Sequence, residues 1–399
     1  MASGAAAATA VTPSRQLALL ADQGIRDVTR LDWPTPAELA WEQPRWLTFE
    51  GVRVYARTTG NSIVRTEDGI RLPFDPDEAV HNLRSEAYVR AGGRALARRA
   101  YYRARPLLPR AAQLAARRAY ARLQGRNSFP HWPLETSLHD LVELVASLAD
   151  EAAGLRLPRL PTWPEGHSWA FVLTHDVETA QGLAEIEHVR RLEERLGLRS
   201  SWNLVPERYE VDDALVADLA AAGHELGVHG LRHDGRDLAS ARLLRRRLPA
   251  MRAAAERWNA VGFRAPATQR RWDLMPKLGF DYDSSYPDTD PYEPQPGGCC
   301  SWLPFFNEQL VELPITVPQD HTLFEVLGQE DESIWIKKID ALRSRGGMAL
   351  VLTHPDYLRE GSKALYAYER LLARYANDRG AWRALPREVA TWWRQRSAS

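Results

Sequence analysis

The chain has 399 residues, 44% hydrophobic and 26% charged, and its 52 basic residues are balanced by 52 acidic ones. That length allows two domains, or one large domain with an extension, and the charge balance leaves no nucleic-acid footprint. No apolar run approaches the roughly 18 residues that a membrane span needs. The two cysteines, Cys299 and Cys300, are adjacent and lack partners elsewhere, which excludes a thiolate metal site; they read as loop thiols. The segment Met1 to Ala10 is small and apolar, without the basic start and leucine-rich core of a secretory signal, so the expected address is cytoplasmic.

From Trp46 to Leu72 the chain reads as short strands, LTFEGVRVYA and SIVRTEDGIRL, with Asp68-Gly69 as a hairpin turn. From Pro76 to about Gly125 it reads as helices rich in Ala, Leu and Arg, broken at Pro106 and Pro109. Between Arg90 and Arg126 there are many arginines, among them Arg98, Arg99, Arg103, Arg105, Arg117 and Arg118, and no acidic residue. Two readings fit such a stretch: contact with an anionic membrane or polyanionic glycan, or helices docked on a domain that neutralises them. The apolar stripe over Ala95–Leu123 requires burial somewhere. The proline-rich, aperiodic segment from Leu155 to Gly166 marks the expected domain boundary. Residues 1–160 are therefore expected to form a small α+β cap packed on a second domain, 161–399.

Beyond the boundary, strand and helix patterns alternate. AFVLTHDV (170–177) opens with the continuous apolar run of a buried parallel strand. A helix from about Ala180 to Leu196 follows, then SSWNLV, a helix over Asp212–Ala222, HELGVHGL, a helix over Ala239–Trp258, and VGFRAPA. YDSSYP, LVELPITV, a helix near Glu332–Arg345, MALVLTHP and closing helices complete the pattern. This spacing predicts a parallel α/β sheet or barrel of about seven strands.

In such folds the chemistry gathers at the carboxyl ends of the strands. Polar residues break the apolar runs at four such ends: His175, Asp176 and Glu178; His229 and His233; Arg264; His354 and Asp356. The i,i+4 histidines of HGLRH, on a helical turn, face one way and can grip one cation. With one carboxylate they form a two-nitrogen, one-oxygen ligand set that leaves a position open for water. Of Asp176 and Glu178, one is expected to ligate and the other to take a proton. Arg264 is placed to hold the base ionised, and His354 to act as general acid. Tyr286, Tyr292 and Trp302, in or near the long loop Pro287–Pro304, are candidates to bind substrate by stacking, or else pack on the domain.

From about Trp169 to Trp393 the chain resembles the polysaccharide deacetylase family, also called the NodB-homology domain or carbohydrate esterase family 4. The matching motifs, in order, are THDVE, HGLRH, FRAPA, YDSSYP with the following DPY, and LTHP. The resemblance implies a distorted (β/α) barrel, usually of seven strands, that hydrolyses acetyl groups on glycans. It implies Asp176 as base, His229 and His233 as metal ligands, Arg264 as the brace of the base and His354 as general acid. The first motif departs from the common pair of adjacent aspartates, since Val177 stands second. THDVE resembles the form with spaced carboxylates, which makes Glu178 the ligand, with Asp176 as the alternative. The aspartate that tunes the general acid is then one of Asp283, Asp288 and Asp290. Zinc is the default metal for this ligand set, and an N-acetylated carbohydrate the expected substrate. A metal amidohydrolase acting on a non-sugar amide, or a non-catalytic glycan-binding module, are the competing readings.

Overall fold

The computed structural model describes residues 17–25, 28–89, 110–125 and 129–398. Arg98, Arg99, Arg103 and Arg105, together with the expected helix breaks at Pro106 and Pro109, lie outside the described residues. Two units divide the chain: one is Met1–His81 with His139–Leu160, the other Asn82–Leu138 with Pro161–Ser399, so one break falls between residues 160 and 161 in the proline-rich segment while residues 82–138 join the second unit.

The first unit opens with a short helix α1 (Ala18–Ala21) and strands β1 (Leu31–Asp32), β2 (Arg45–Phe49), β3 (Val52–Ala56), β4 (Val64–Thr66) and β5 (Gly69–Arg71). β2 and β3 form an antiparallel hairpin with Trp46 opposite Tyr55, their rings 5.0 Å apart. β5 pairs antiparallel with β4 and parallel with β1. Thr66 pairs with Gly69, so the two-residue loop is Glu67-Asp68, one residue earlier than the sequence implied. Gly69 serves a different purpose: a Cβ there would lie 2.2 Å from the Arg30 carbonyl oxygen, which accepts a hydrogen bond from Ile70 N. The glycine permits this close backbone approach. Helices α2 (Pro76–Arg84) and α4 (Ser137–Ala153) follow, and between them in sequence α3 (Arg110–Gln124) belongs to the second unit.

In the second unit the strands are β6 (Trp169–Val177), β7 (Ser200–Leu204), β8 (Glu225–Val228), β9 (Gly262–Phe263), β10 (Tyr282–Asp283), β11 (Phe305–Asn307), β12 (Leu310–Glu312), β13 (Met348–Thr353) and β14 (Ala381–Arg383). Their order is β11-β12-β10-β9-β8-β7-β6-β13, with β14 beside β6, and only the β11–β12 pairing is antiparallel. The sheet is curled and open, a half-barrel with flanking helices, consistent with the expected distorted (β/α) barrel. β13 runs along one edge of β6 from Ala170 to His175; β14 pairs with residues 169–171 and β7 takes over from Leu173.

The connecting helices are α5 (Ala180–Arg195), α6 (Asp213–Ala221), α7 (Ala241–Trp258), α8 (Ser333–Ser344), α9 (Lys363–Tyr375) and α10 (Pro386–Ala398). Thr179, Asp212, Ser240 and Ser362 cap four of them, each side chain accepting from a backbone N–H of the first turn. Such caps contribute about 1 kcal/mol each.

Every residue of β6 is buried, and its period-two alternation assigns successive side chains to two different layers. Phe171, Leu173 and Val177 join the large core shared with the helices, while Ala170 and Val172 join a second core with Leu350, Val311 and Trp393. Each fully buried large apolar side chain contributes about 1.5–3 kcal/mol. The same parity separates His175 from Asp176.

Candidate metal centre and active site

Parity puts His175 in the outer layer, away from the other polar strand-end groups. It stacks on Trp202 at 4.1 Å, and its Nε2 meets Glu193 Oε1 at 2.7 Å. Glu193 also accepts from Ser200 Oγ and Tyr368 OH, each at 2.6 Å, so this buried carboxylate is fully engaged in the core. Asp176 shares the inner face with Thr174. Its Oδ1 accepts from Asn203 Nδ2 at 2.9 Å and from Arg264 Nη1 at 3.2 Å.

Arg264 is buried at the end of β9 and is held by three further bonds: Nε to the Ser284 carbonyl at 2.7 Å, Nη2 to Ser284 Oγ at 2.7 Å, and Nη1 to Thr174 Oγ1 at 2.9 Å. A guanidinium fixed on four sides is a rigid charge partner. Burial works against the Asp176 charge, but His229, Arg264 and His354 around it, with the Asn203 amide, hold the carboxyl below its ordinary range. Asp176 Oδ2 remains 3.7 Å from His229 Nε2.

HGLRH is not helical. Gly230 and His233 adopt left-handed backbone, with φ of 63° and 53°, and the segment bends after β8. At Gly230 a Cβ would collide with Asp237 Oδ2 and the Pro266 ring, so the bend requires glycine. The bend still converges the two imidazoles, whose ring centroids are 5.1 Å apart. His233 Nε2 lies 2.9 Å from Glu178 Oε1. His229 Nδ1 donates to the Arg264 carbonyl oxygen at 3.1 Å, which leaves Nε2 as the lone-pair nitrogen. That Nε2 is buried and has no hydrogen-bond partner. Burial lowers the His229 pKa to about 4, so the ring is neutral, as a ligand must be. Glu178 is held well below the carboxylate range: burial opposes its charge, but His233 outweighs that effect.

Glu178, His229 and His233 offer ligand atoms that all lie within 4.8 Å of one another, a cluster able to chelate a divalent metal. Among the described residues it is the one such group, and Asp176 is not part of it. An orphaned buried imidazole nitrogen with its tautomer fixed by a backbone carbonyl fits a metal ligand. Glu178 is pinned from behind on both sides. Asp356 Oδ2 accepts from Glu178 N at 3.2 Å, and Tyr209 OH donates to the Val177 carbonyl at 2.6 Å.

His354 follows β13, with Nε2 3.8 Å from Glu178 Oε1. Its Nδ1 meets Asp320 Oδ1 at 2.6 Å, and its backbone N donates to Asp320 Oδ2 at 2.7 Å. Burial alone would discharge this ring; Asp320, then Glu178 and Asp176, push its pKa up to about 10. The carboxylate that meets His354 is thus Asp320, and not Asp283, Asp288 or Asp290. Asp283 is bonded to Ser285, Asp288 to Lys338, and Asp290 to the Tyr292 backbone. Asp320 follows the apolar run LPITVP, so the strand-end rule that located the other groups would have located it too.

The aromatic candidates divide. Trp302 is 4% exposed, and its carbonyl accepts from Met348 N at the amino end of β13, remote from the carboxyl-end chemistry; it offers no stacking face. Tyr286 is 2% exposed and lies beneath the Arg270 guanidinium. Tyr292 is partly exposed and meets Trp132 edge-on at 5.2 Å. A cavity of about 270 Å³ lined by Glu86, Arg270, Trp272 and Tyr286 lies beside the loops that follow β9 and β10. A larger one, about 520 Å³ and lined by Val261, Asp281, Arg387 and Arg394, opens at the amino ends of those strands, opposite the Glu178/His229/His233 cluster.

No protein-family model matches the chain, and no curated protein matches it. Solved structures do. A protein from Mycobacterium smegmatis assigned as a polysaccharide deacetylase is 21% identical, with 59% of this chain and 93% of that one covered, at a TM-score of 0.49. Puue allantoinase is 16% identical over 60% of this chain and 94% of its own, also at 0.49. A second protein assigned as a polysaccharide deacetylase, from Pseudomonas aeruginosa, is 18% identical over 60% and 95%, at 0.48.

Proposed function

We propose that this chain is a metal-dependent hydrolase that removes the N-acetyl group from an N-acetylated sugar. The observation that carries this reading is one meeting point at the ends of three strands, β6, β8 and β13. There the Glu178/His229/His233 cluster faces a carboxyl held anionic, Asp176, and an imidazole held protonated, His354. Two titratable groups pushed to opposite charge states are the pairing that acid–base hydrolysis of an amide needs. Zinc, the metal this donor set favours by default, would supply Lewis acidity toward the acetyl carbonyl and the attacking water.

The chain's own residues divide the remaining work. Asp176 Oδ1 is anchored by Asn203 and Arg264, which leaves Oδ2 to take the proton of the water as its oxygen bonds to the carbonyl carbon. His354 Nε2–H, oriented by Asp320, gives its proton to the nitrogen as the C–N bond breaks. One water is consumed; acetate and an amine are released. The burial of Tyr286 and Trp302 favours a compact substrate over a long glycan stacked along an aromatic groove, and it supports a second reading, hydrolysis of a small non-sugar amide.

The deciding experiment measures acetate release from N-acetylated monosaccharides, oligosaccharides and non-sugar amides, with and without chelator. Chelator-sensitive release from sugars supports the first reading. Release confined to non-sugar amides supports the second.

A further inference from the structure

Among the described residues, helix α3 docks on its own unit through one edge. Arg117 Nη2 donates to the Tyr292 carbonyl, Gln124 Nε2 to the Glu293 carbonyl at 3.2 Å, and Ala121 is buried. Positions 117, 121 and 124 share one face at three- and four-residue spacing. Beside that face, Arg118 Nε donates to the Glu325 carbonyl at 2.9 Å. The rest of the described surface of α3 is open. Tyr120 is 41% and Leu123 57% exposed, and Ala115 and Ala119 extend the same apolar strip. Arg118 and Arg122, four residues apart and both exposed, run along its flank. From Arg110 to Gly125 the chain carries four arginines and no acidic residue.

The helix is also placed at the rim of the metal face. Glu325 belongs to the turn His321–Val326, which starts one residue after Asp320, the partner of His354. Tyr292 and Glu293 lie in the loop that follows β10.

We propose that this face of α3 is a docking surface for an anionic lipid bilayer. An exposed strip of small and large apolar side chains bordered by arginines is what an interfacial helix presents to headgroups. Tyr120 and Leu123 would enter the interface, and Arg118 and Arg122 would pair with lipid phosphates. Charge complementarity selects the anionic surface: two exposed guanidiniums with no acidic neighbour on the helix attract phosphates, whereas a second copy of the same face would repel them. Docking there brings the metal centre to the membrane surface. It holds whether or not the chain hydrolyses acetyl groups.

The test is co-sedimentation of the full chain with phosphatidylcholine vesicles, with and without phosphatidylglycerol, across a salt series. Binding is expected only with phosphatidylglycerol, weakening as salt rises. Arg118→Glu with Arg122→Glu should weaken it at least about tenfold. Tyr120→Ser with Leu123→Ser should remove the part that survives high salt. The thermal midpoint of each variant, measured alongside, separates loss of docking from loss of folding. Equal binding to both vesicles, no binding, or undiminished binding by both folded double variants would overturn the proposal. So would salt-independent self-association of the free protein that the Tyr120/Leu123 variant abolishes, because a second copy would then cover this face.

Discussion

His229 Nδ1 donates to the carbonyl oxygen of Arg264 at 3.1 Å, and this one bond decides which nitrogen of the ring faces the site. The residue that bonds Asp176 through its side chain thereby also orients a member of the Glu178/His229/His233 cluster through its backbone. β8 and β9 are parallel neighbours, and their register sets the bond between His229 and Arg264; the bond from Arg264 to Asp176 reaches across β8 and β7 to β6.

The supports behind Glu178 should matter for metal affinity. Asp356 fixes the Glu178 backbone N–H and Tyr209 the preceding carbonyl. Asp356→Ala and Tyr209→Phe are each expected to lower zinc affinity roughly 10- to 100-fold, the usual effect of losing a group that orients a ligand. A competition titration against a chromophoric chelator measures this. Unchanged affinity would mean that the Glu178 carboxylate needs no backbone support.

Asp176→Asn and His354→Ala should each reduce turnover by about 10²–10⁴-fold while metal content stays at the wild-type level. Metal analysis of purified Asp176→Asn protein reads the second half directly. Loss of metal there would make Asp176 the ligand and remove Glu178 from that role. A related expectation concerns pH. His354 is pushed up to about 10 chiefly by Asp320, so it keeps its proton throughout the neutral range. Asp320→Asn should move the alkaline limb of the rate profile to lower pH, because the acid form is then lost earlier.

Glu225 supplies a stability test remote from the metal. Its buried carboxyl accepts from Tyr282 OH at 2.7 Å and from Arg387 N at 3.0 Å, and burial raises its pKa from 4.5 to about 7. A carboxyl raised on folding contributes stability that is fully present below its unfolded pKa and is lost as pH climbs through the folded one. Urea unfolding should therefore show wild type weakening by at most about 3 kcal/mol between pH 5 and pH 8. Glu225→Gln should lose much less across the same window, and equal losses in both proteins would assign the pH dependence elsewhere.

The segment before the proline-rich joint should prove indispensable. Arg270 is fully buried, and its guanidinium is paired with Glu86, a residue well upstream of that joint. Lys338, also buried, donates to the Pro133 carbonyl. Glu86→Ala strands a buried charge and should cost about 3–5 kcal/mol in chemical unfolding. A chain beginning at Pro161 loses both partners and should be less stable still. Wild-type stability in that shortened chain would contradict the division of the units.

Much of the second unit was legible because parallel strands buried on both faces read as continuous apolar runs. AFVL and MALVL are such runs, and the polar residues that break them mark strand ends. Glu178, His229, His233, Arg264 and His354 were found that way, and the structure brings all five together with Asp176. Two errors have one cause: spacing along the chain does not fix direction. His175 and Asp176 are adjacent, yet the pleat sends them to opposite layers. HGLRH has helical spacing, but Gly230 takes it out of the helix. Asp320 lies well beyond YDSSYP in the chain, and its contact with His354 comes from a different strand connection, which no local spacing marks. That residues 82–138 join the second unit is not legible in the sequence, because a contact such as Glu86 with Arg270 spans 184 residues and leaves no local trace.

The central claim, a metal-dependent hydrolase built on Glu178, His229 and His233, is tested most directly by acetate release measured on one preparation in three states. The protein is assayed as metal-loaded, as chelator-stripped, and as reloaded with zinc, beside His229→Ala and His233→Ala. The expected result is turnover that vanishes on stripping, returns at one equivalent of zinc per chain, and never returns in either variant. Undiminished acetate release by the stripped protein, or by both histidine variants, would contradict the account.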